Sequence, residues 1–191
     1  MERVEHAGVT RLGEVAQSLG IASVTGEDDL YLLPRNGAAR RLGVSATRPL
    51  VTGEAVRDFT LQPECDALWV YDAGFETLPW EDIGASQQVL APYRTAISSR
   101  KRFGVPMLER GMAWHEWQEL YPSKLRTPLT IAFAFVATHN HFVLDRGGKV
   151  FNRSAPVIKL PEGATEQRHL ELLEVLNSSV ACFWLKQVSQ A

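Results

Sequence analysis

Apolar positions in this chain recur at two spacings, and each spacing predicts an element. Leu12, Val15, Ala16 and Leu19 repeat at helical intervals with Gly20 as a stop, which predicts a short helix over 12–19. Short apolar runs bounded by turn residues predict strands at 30–33, 49–52 and 67–71. The stretch 35–45 is turn-rich and basic, and 75–86 is acidic and irregular. A helix is expected within 87–102, beginning near Pro92 with Tyr93, Ala96 and Ile97 turned inward, and a short one over 114–121. The run 129–137 is continuously apolar, as in a central strand covered on both faces. Stretches 141–144 and 149–152 flank Asp145-Arg146-Gly147-Gly148 and predict a hairpin. A long helix is expected over 166–188, with Leu170, Leu173, Leu176, Val180 and Trp184 near one face. No repeat or clean linker interrupts this order. The pattern predicts one α/β (α+β) domain over 12–188, preceded by a polar leader over 1–11. Its sheet is expected to be mixed and largely antiparallel, with flanking helices and a C-terminal helical segment.

Composition narrows the class. The chain has 191 residues, 45% hydrophobic and 22% charged, which is globular rather than disordered. A chain of this size buries roughly 70% of its unfolded surface, so it needs no staples. Its only cysteines, Cys65 and Cys182, form no metal-type or redox-type pair, which points to a reducing cytoplasm. The first eight residues do not read as a secretory signal, and no apolar run is long enough to span a membrane. A net charge of −2 excludes a uniformly basic nucleic-acid binder and leaves local patches open.

The motifs of catalysis are missing. No proline follows another, so the Pro-Pro-aromatic element of amino-group methyltransferases is absent, as is a glycine-rich methyl-donor loop. Gly20 to Gly26 has five intervening residues and is followed by Glu27-Asp28-Asp29, which would repel the phosphate that a P-loop cradles. His139 and His141 stand at i and i+2 and would share one side of a strand, but a metal needs a further ligand, with His115 the candidate. Cys65 lies between acids that blunt a thiol, and no Gly-x-Ser-x-Gly elbow occurs.

Charge is unevenly placed. Arg35, Arg40, Arg41, Arg48 and Arg57 crowd one stretch, and Arg94, Arg100, Lys101, Arg102, Arg110, Lys124 and Arg126 another. Tyr93, Phe103, Trp114, Trp117 and Tyr121 interleave with the second. Cations beside planar side chains suit a phosphate backbone with bases next to it. A solvated charged face over ordinary core aromatics would read the same way.

An ordered series of short blocks decides between these. Leu12-Gly13-Glu14-Val15-Ala16, then Gly20-Ile21 and Thr25-Gly26-Glu27-Asp28-Asp29-Leu30-Tyr31, resemble the opening helix and Gly-Ile…Thr-Gly…aromatic loop of the TaqI-like target-recognition (specificity) domain of adenine-specific DNA methyltransferases. The loop holds two more residues than usual. Pro49 to Phe59 is similar to the next block, with Ala55 where an acid is common. Tyr93-Arg94, Ile97 and Arg100 resemble a helix ending in arginine, and Trp114-His115-Glu116-Trp117 a Trp-aromatic block with His115 where tyrosine is frequent. Leu176-Asn177-Ser178-Ser179 with Phe183-Trp184 resembles the closing Leu-Asn-Ser helix. The matches run in order from about residue 12 to residue 188.

The resemblance implies a sequence-specific double-stranded DNA recognition domain of a restriction-modification, BREX or phage-growth-limitation methyltransferase. The chain would have no cofactor and no catalytic residue of its own. S-adenosylmethionine is expected in the N-terminal methyltransferase domain of the parent, which flips and methylates an adenine. Arg100, Lys101, Arg102, Lys124 and Arg126 are the phosphate-positioning candidates, and Arg40, Arg41, His115 and Asn140 the base-reading ones, on side-chain chemistry. Trp114 and Trp117 are expected to anchor loops. The alternative is an interaction module docking the methyltransferase onto other defence-system subunits through Trp184 and Leu185 on the C-terminal helix. A metal-dependent nuclease using His139 and His141 is the third reading.

Overall fold

The structure, a computed structural model, describes residues 10–57 and 59–188. Most of the expected leader over 1–11 therefore lies outside the described residues. In chain order the strands are β1 (Ser18–Gly20), β2 (Ser23–Val24), β3 (Leu32–Pro34), β4 (Thr47–Val51), β5 (Val56–Arg57), β6 (Thr60–Leu61) and β7 (Cys65–Leu68). After them come β8 (Lys101–Arg102), β9 (Val105–Pro106), β10 (Glu119–Leu120), β11 (Thr130–Phe133), β12 (Phe142–Asp145), β13 (Val150–Phe151) and β14 (Val157–Lys159).

Two four-stranded sheets carry the fold, ordered β1-β14-β11-β12 and β13-β4-β7-β3. The first is antiparallel throughout, and the second contains a parallel step, β13 on β4. Alternation along β11 explains why both its faces are covered. Ile131 joins Phe142, Leu144 and Ile158 under Leu170, Leu173 and Leu176 of the C-terminal helices. Its neighbour Ala132 meets Val143, Val157 and, from the second sheet, Val51 and Phe151. The other face of the molecule is built on Leu50, Leu68, Trp69, Tyr71, Ile97 and Trp117. The fold is α+β with predominantly antiparallel sheets and helices at the C-terminal end.

Several elements depart from the sequence pattern, each for a local reason. The helix over 12–19 ends at Val15, because Gln17 N donates to Lys159 O and the chain joins β14 instead. The segment 87–102 is split into Ser86–Leu90, a 3₁₀ turn at Ala91–Tyr93 and Arg94–Ser98 around Pro92, which has no N–H to give. Of Tyr93, Ala96 and Ile97 only Ile97 is buried; Tyr93 is 48% exposed. Segment 114–121 is turns leading into β10, not helix. The carbonyls of Trp114 and Glu116 are taken by Arg100, and Trp117 N donates to Tyr71 Oη.

The strand over 129–137 stops at Phe133, leaving Phe135 and Val136 exposed. No hairpin forms around 145–148. Asp145 bonds Gly147 N and Lys149 Nζ, and so steers the chain from β12 in one sheet to β13 in the other. The long helix breaks into Glu166–Leu176 and Ser179–Val188. At the break, the Asn177 amide accepts from Phe142 N (3.1 Å) and donates to Phe142 O (2.8 Å), acting as one more partner for β12.

One close approach ties the sheets together. Gly53 N donates to Ser154 Oγ at 2.8 Å, and a Cβ at Gly53 would sit 2.5 Å from Ser154 O. Gly53→Ala must push two backbones apart and is expected to cost about 2–3 kcal/mol, read as a lower urea midpoint with unchanged slope.

Candidate nucleic-acid interface

The ladder of β2 with β10 organises one basic surface. From β8, Arg102 places Nη2 2.9 Å from Tyr121 Oη and Nε 2.9 Å from Glu119 Oε1. Tyr121 in turn donates to Glu119 Oε2 at 2.6 Å, and this bond, with burial, holds its phenol above the usual range. Lys124 donates to Ile21 O at 2.8 Å with its ammonium 5.2 Å from the Tyr121 ring centre, and partial burial lowers its pKa. The Lys101 side chain is exposed, and its carbonyl accepts from Gln118 Nε2 at 2.6 Å. Arg126 is exposed two residues beyond Lys124 and donates to Gly74 O. Among the described residues no carboxylate pairs with Lys101, Lys124 or Arg126.

Arg100 belongs beneath this surface and not on it. The residue is 6% exposed. Its Nε donates to Ile97 O (2.9 Å), Nη1 to Thr25 O (2.5 Å), and Nη2 to Glu116 O (2.6 Å) and Trp114 O (3.1 Å). Tyr31 Oη, 3.4 Å from Nη2, donates to His115 O. All three guanidinium nitrogens are thus bound to the fold. The Thr-Gly loop explains the geometry: Gly26 sits at φ +84, and a Cβ there would lie 2.9 Å from Gln118.

The base-reading candidates are scattered. Arg40 and Arg41 are exposed on the helix Ala38–Arg41, packed beside β3, with Arg41 bonded to Asn36. His115 is 3% exposed, packs edge-on against both Trp80 and Trp114, and hydrogen-bonds Leu78 O through Nε2 at 2.9 Å. Asn140 donates to Leu176 O and Ser178 O, where it closes the break between the C-terminal helices. The structure gathers Arg102 and Lys124 about Tyr121, leaves Lys101 exposed on the same short strand as Arg102 and Arg126 exposed against Gly74, and places Arg40, Arg41, His115 and Asn140 on other segments. Trp117 is fully buried and Trp114 stacks on Trp80 at 4.5 Å.

Beside the ladder lies a cleft of about 260 Å³, lined by Gly26, Glu27, Asp28, Gln118, Asn152 and Arg153. Its amides and guanidinium carry the donor and acceptor groups that base edges need. Gln118, Asn152 and Arg153 were not legible as a group, because their closeness depends on β2–β10 pairing and on the turn after β13.

Other chemistry finds little support in the geometry. Burial and the neighbouring Glu64 and Asp66 raise the Cys65 thiol pKa, which disfavours the thiolate. Among the described residues no three His, Cys, Asp or Glu side chains converge as metal ligands, and no helix is long and apolar enough to cross a membrane.

No family model matches the chain. In an alignment of 191 positions that covers 99% of the chain, it is 39% identical to a segment of the adenine-specific methyltransferase PglX of Streptomyces coelicolor (strain ATCC BAA-471 / A3(2) / M145). It spans 16% of that protein. The chain is a homologue of one part of an adenine-specific methyltransferase.

Proposed function

We propose that this chain is the duplex-DNA recognition part of an adenine-specific methyltransferase acting in restriction-modification or phage defence. What supports the reading is the alignment to a sixth of such an enzyme, in a chain lacking the methyl-donor loop and Pro-Pro-aromatic element of catalysis. S-adenosylmethionine and the adenine-methylating step belong to the rest of the parent. Lys101, Arg102, Lys124 and Arg126 grip phosphates and fix the register. Gln118, Asn152 and Arg153 in the adjacent cleft face the base edges, where bidentate contacts discriminate by about 1–3 kcal/mol each.

Titration with duplex DNA at several salt concentrations tests this. The three cations without a carboxylate partner among the described residues, with Arg102 already paired to Glu119, give a log–log slope of about −3. Lys101→Ala and Lys124→Ala should each weaken binding to all sequences alike and flatten the slope by about one unit. A flat salt dependence, or no binding at low salt, would overturn the reading in favour of protein docking. One observation favours that second reading: Val175, Val180 and Phe183 on the C-terminal helices are 64%, 63% and 58% exposed. Leu185, by contrast, packs inward against the first sheet's outer cluster.

A further inference from the structure

The hairpin of β8 and β9 ends in a two-residue turn, Phe103-Gly104, with φ of 51° and 82°. Such a turn, left-handed at both residues, is made readily by Asn-Gly and only with steric strain by phenylalanine. Phe103 is nevertheless 90% exposed, the most exposed of the large apolar side chains described. It packs into no core cluster, so stability does not account for it.

The stem beneath the tip is held firmly. Gln118 bonds Lys101 O, Arg102 is fixed by Tyr121 and Glu119, and the buried Met107 donates to Arg100 O. The Arg102 guanidinium carbon lies 5.3 Å from the Phe103 ring centre. An exposed aromatic thus stands on a rigid stem whose strand carries Lys101 and Arg102, and Arg102 meets the Tyr121 that Lys124 also approaches. Phe59, just before β6, is likewise at positive φ (62°) and 70% exposed.

We infer that Phe103 is a wedge that enters the base stack of duplex DNA while Lys101 and Arg102 hold the flanking phosphates. The inference rests on the DNA-recognition reading above. Charge complementarity selects the occupant: cations flanking the tip draw it to a polyanion, and a phenyl ring among them finds its apolar counterpart only between bases. Apolar wedges of this kind part a base step and kink the duplex, which lowers the cost of extruding a neighbouring base.

The test uses the whole chain, a pool of random-sequence duplexes enriched for binding to it, and the same duplexes carrying 2-aminopurine. Phe103→Asn suits the turn, so its melting temperature should equal or exceed that of the parent. Its affinity should fall about tenfold, within the range for loss of one base–aromatic stack, while its salt slope stays unchanged. The parent should raise 2-aminopurine fluorescence on binding and Phe103→Asn should not; Phe103→Trp should keep the tight binding. If Phe103→Asn binds as tightly as the parent, or gives the same fluorescence change, the wedge is overturned and the DNA reading stands. If the parent itself fails to bind duplex at low salt, both fall together.

Discussion

Arg100→Ala is expected to lose about 3–5 kcal/mol of folding stability, more than any surface cation in this chain. The guanidinium ties four carbonyls from three separate segments: Thr25 in the glycine loop, Ile97 at the end of its own helix, and Trp114 and Glu116 in the turns before β10. Each bond from a charged donor contributes about 1.5–3 kcal/mol when water is excluded, and removal leaves the acceptors facing a void. For a chain of this length the melting temperature should drop by roughly 10 °C. Arg100→Lys should recover less than half of this, since an ammonium cannot span carbonyls that a planar fork reaches together. A denaturant melt within about 1 kcal/mol of the parent would show that Arg100 does not hold these segments, and a changed salt slope in the folded variant would return it to the DNA surface.

Arg100 also shows where sequence legibility ended. Its position after Ile97 and its place in a basic triplet were visible; that its carbonyl partners lie 75 and 16 residues away in sequence was not. The fold class was legible because alternation and apolar runs are local. Thus β11 could be found within the apolar run 129–137, though not where it ends, and the C-terminal helices from their leucines. The limits of elements were decided by partners far along the chain. Lys159 O captures Gln17 and ends the first helix, and the Asn177 amide on Phe142 interrupts the last one. His115 and Asn140 carry groups that read bases in isolation, and here His115 Nε2 is spent on Leu78 O and the Asn140 NH₂ on Leu176 O and Ser178 O. The Phe103-Gly104 hairpin had no local signal: its strands are Lys101-Arg102 and Val105-Pro106, neither of them a β-prone run, and phenylalanine is a poor first residue for a left-handed two-residue turn.

Stability should rise between pH 8 and pH 10, against the usual decline in alkali. Lys159 is 3% exposed in β14, donating to Thr127 O (2.9 Å), Leu129 O and Thr130 Oγ1 (2.7 Å). Burial lowers its pKa to about 8, an effect that the Asp145 carboxylate only partly opposes. Unfolded, the amine titrates at its ordinary 10.5. Below pH 8 both states hold the proton and the cost of the buried charge is fully present. From 8 to 10.5 the unfolded chain binds more protons than the folded one, so stability increases with pH. The gain is on the order of 3 kcal/mol across that window. Two buried tyrosines set the upper limit. Burial raises the phenol of Tyr71 and pushes that of Tyr31 up to about 12, with Arg100 partly opposing, so above pH 10 the folded chain keeps protons that the unfolded chain loses and stability falls again. Urea melts from pH 7 to 11 should therefore peak near pH 10, and most of the rising limb should be lost in Lys159→Met, leaving the smaller part from Lys124. A profile in the parent that is flat or falling from pH 8 to 10 would mean that the Lys159 ammonium is not desolvated.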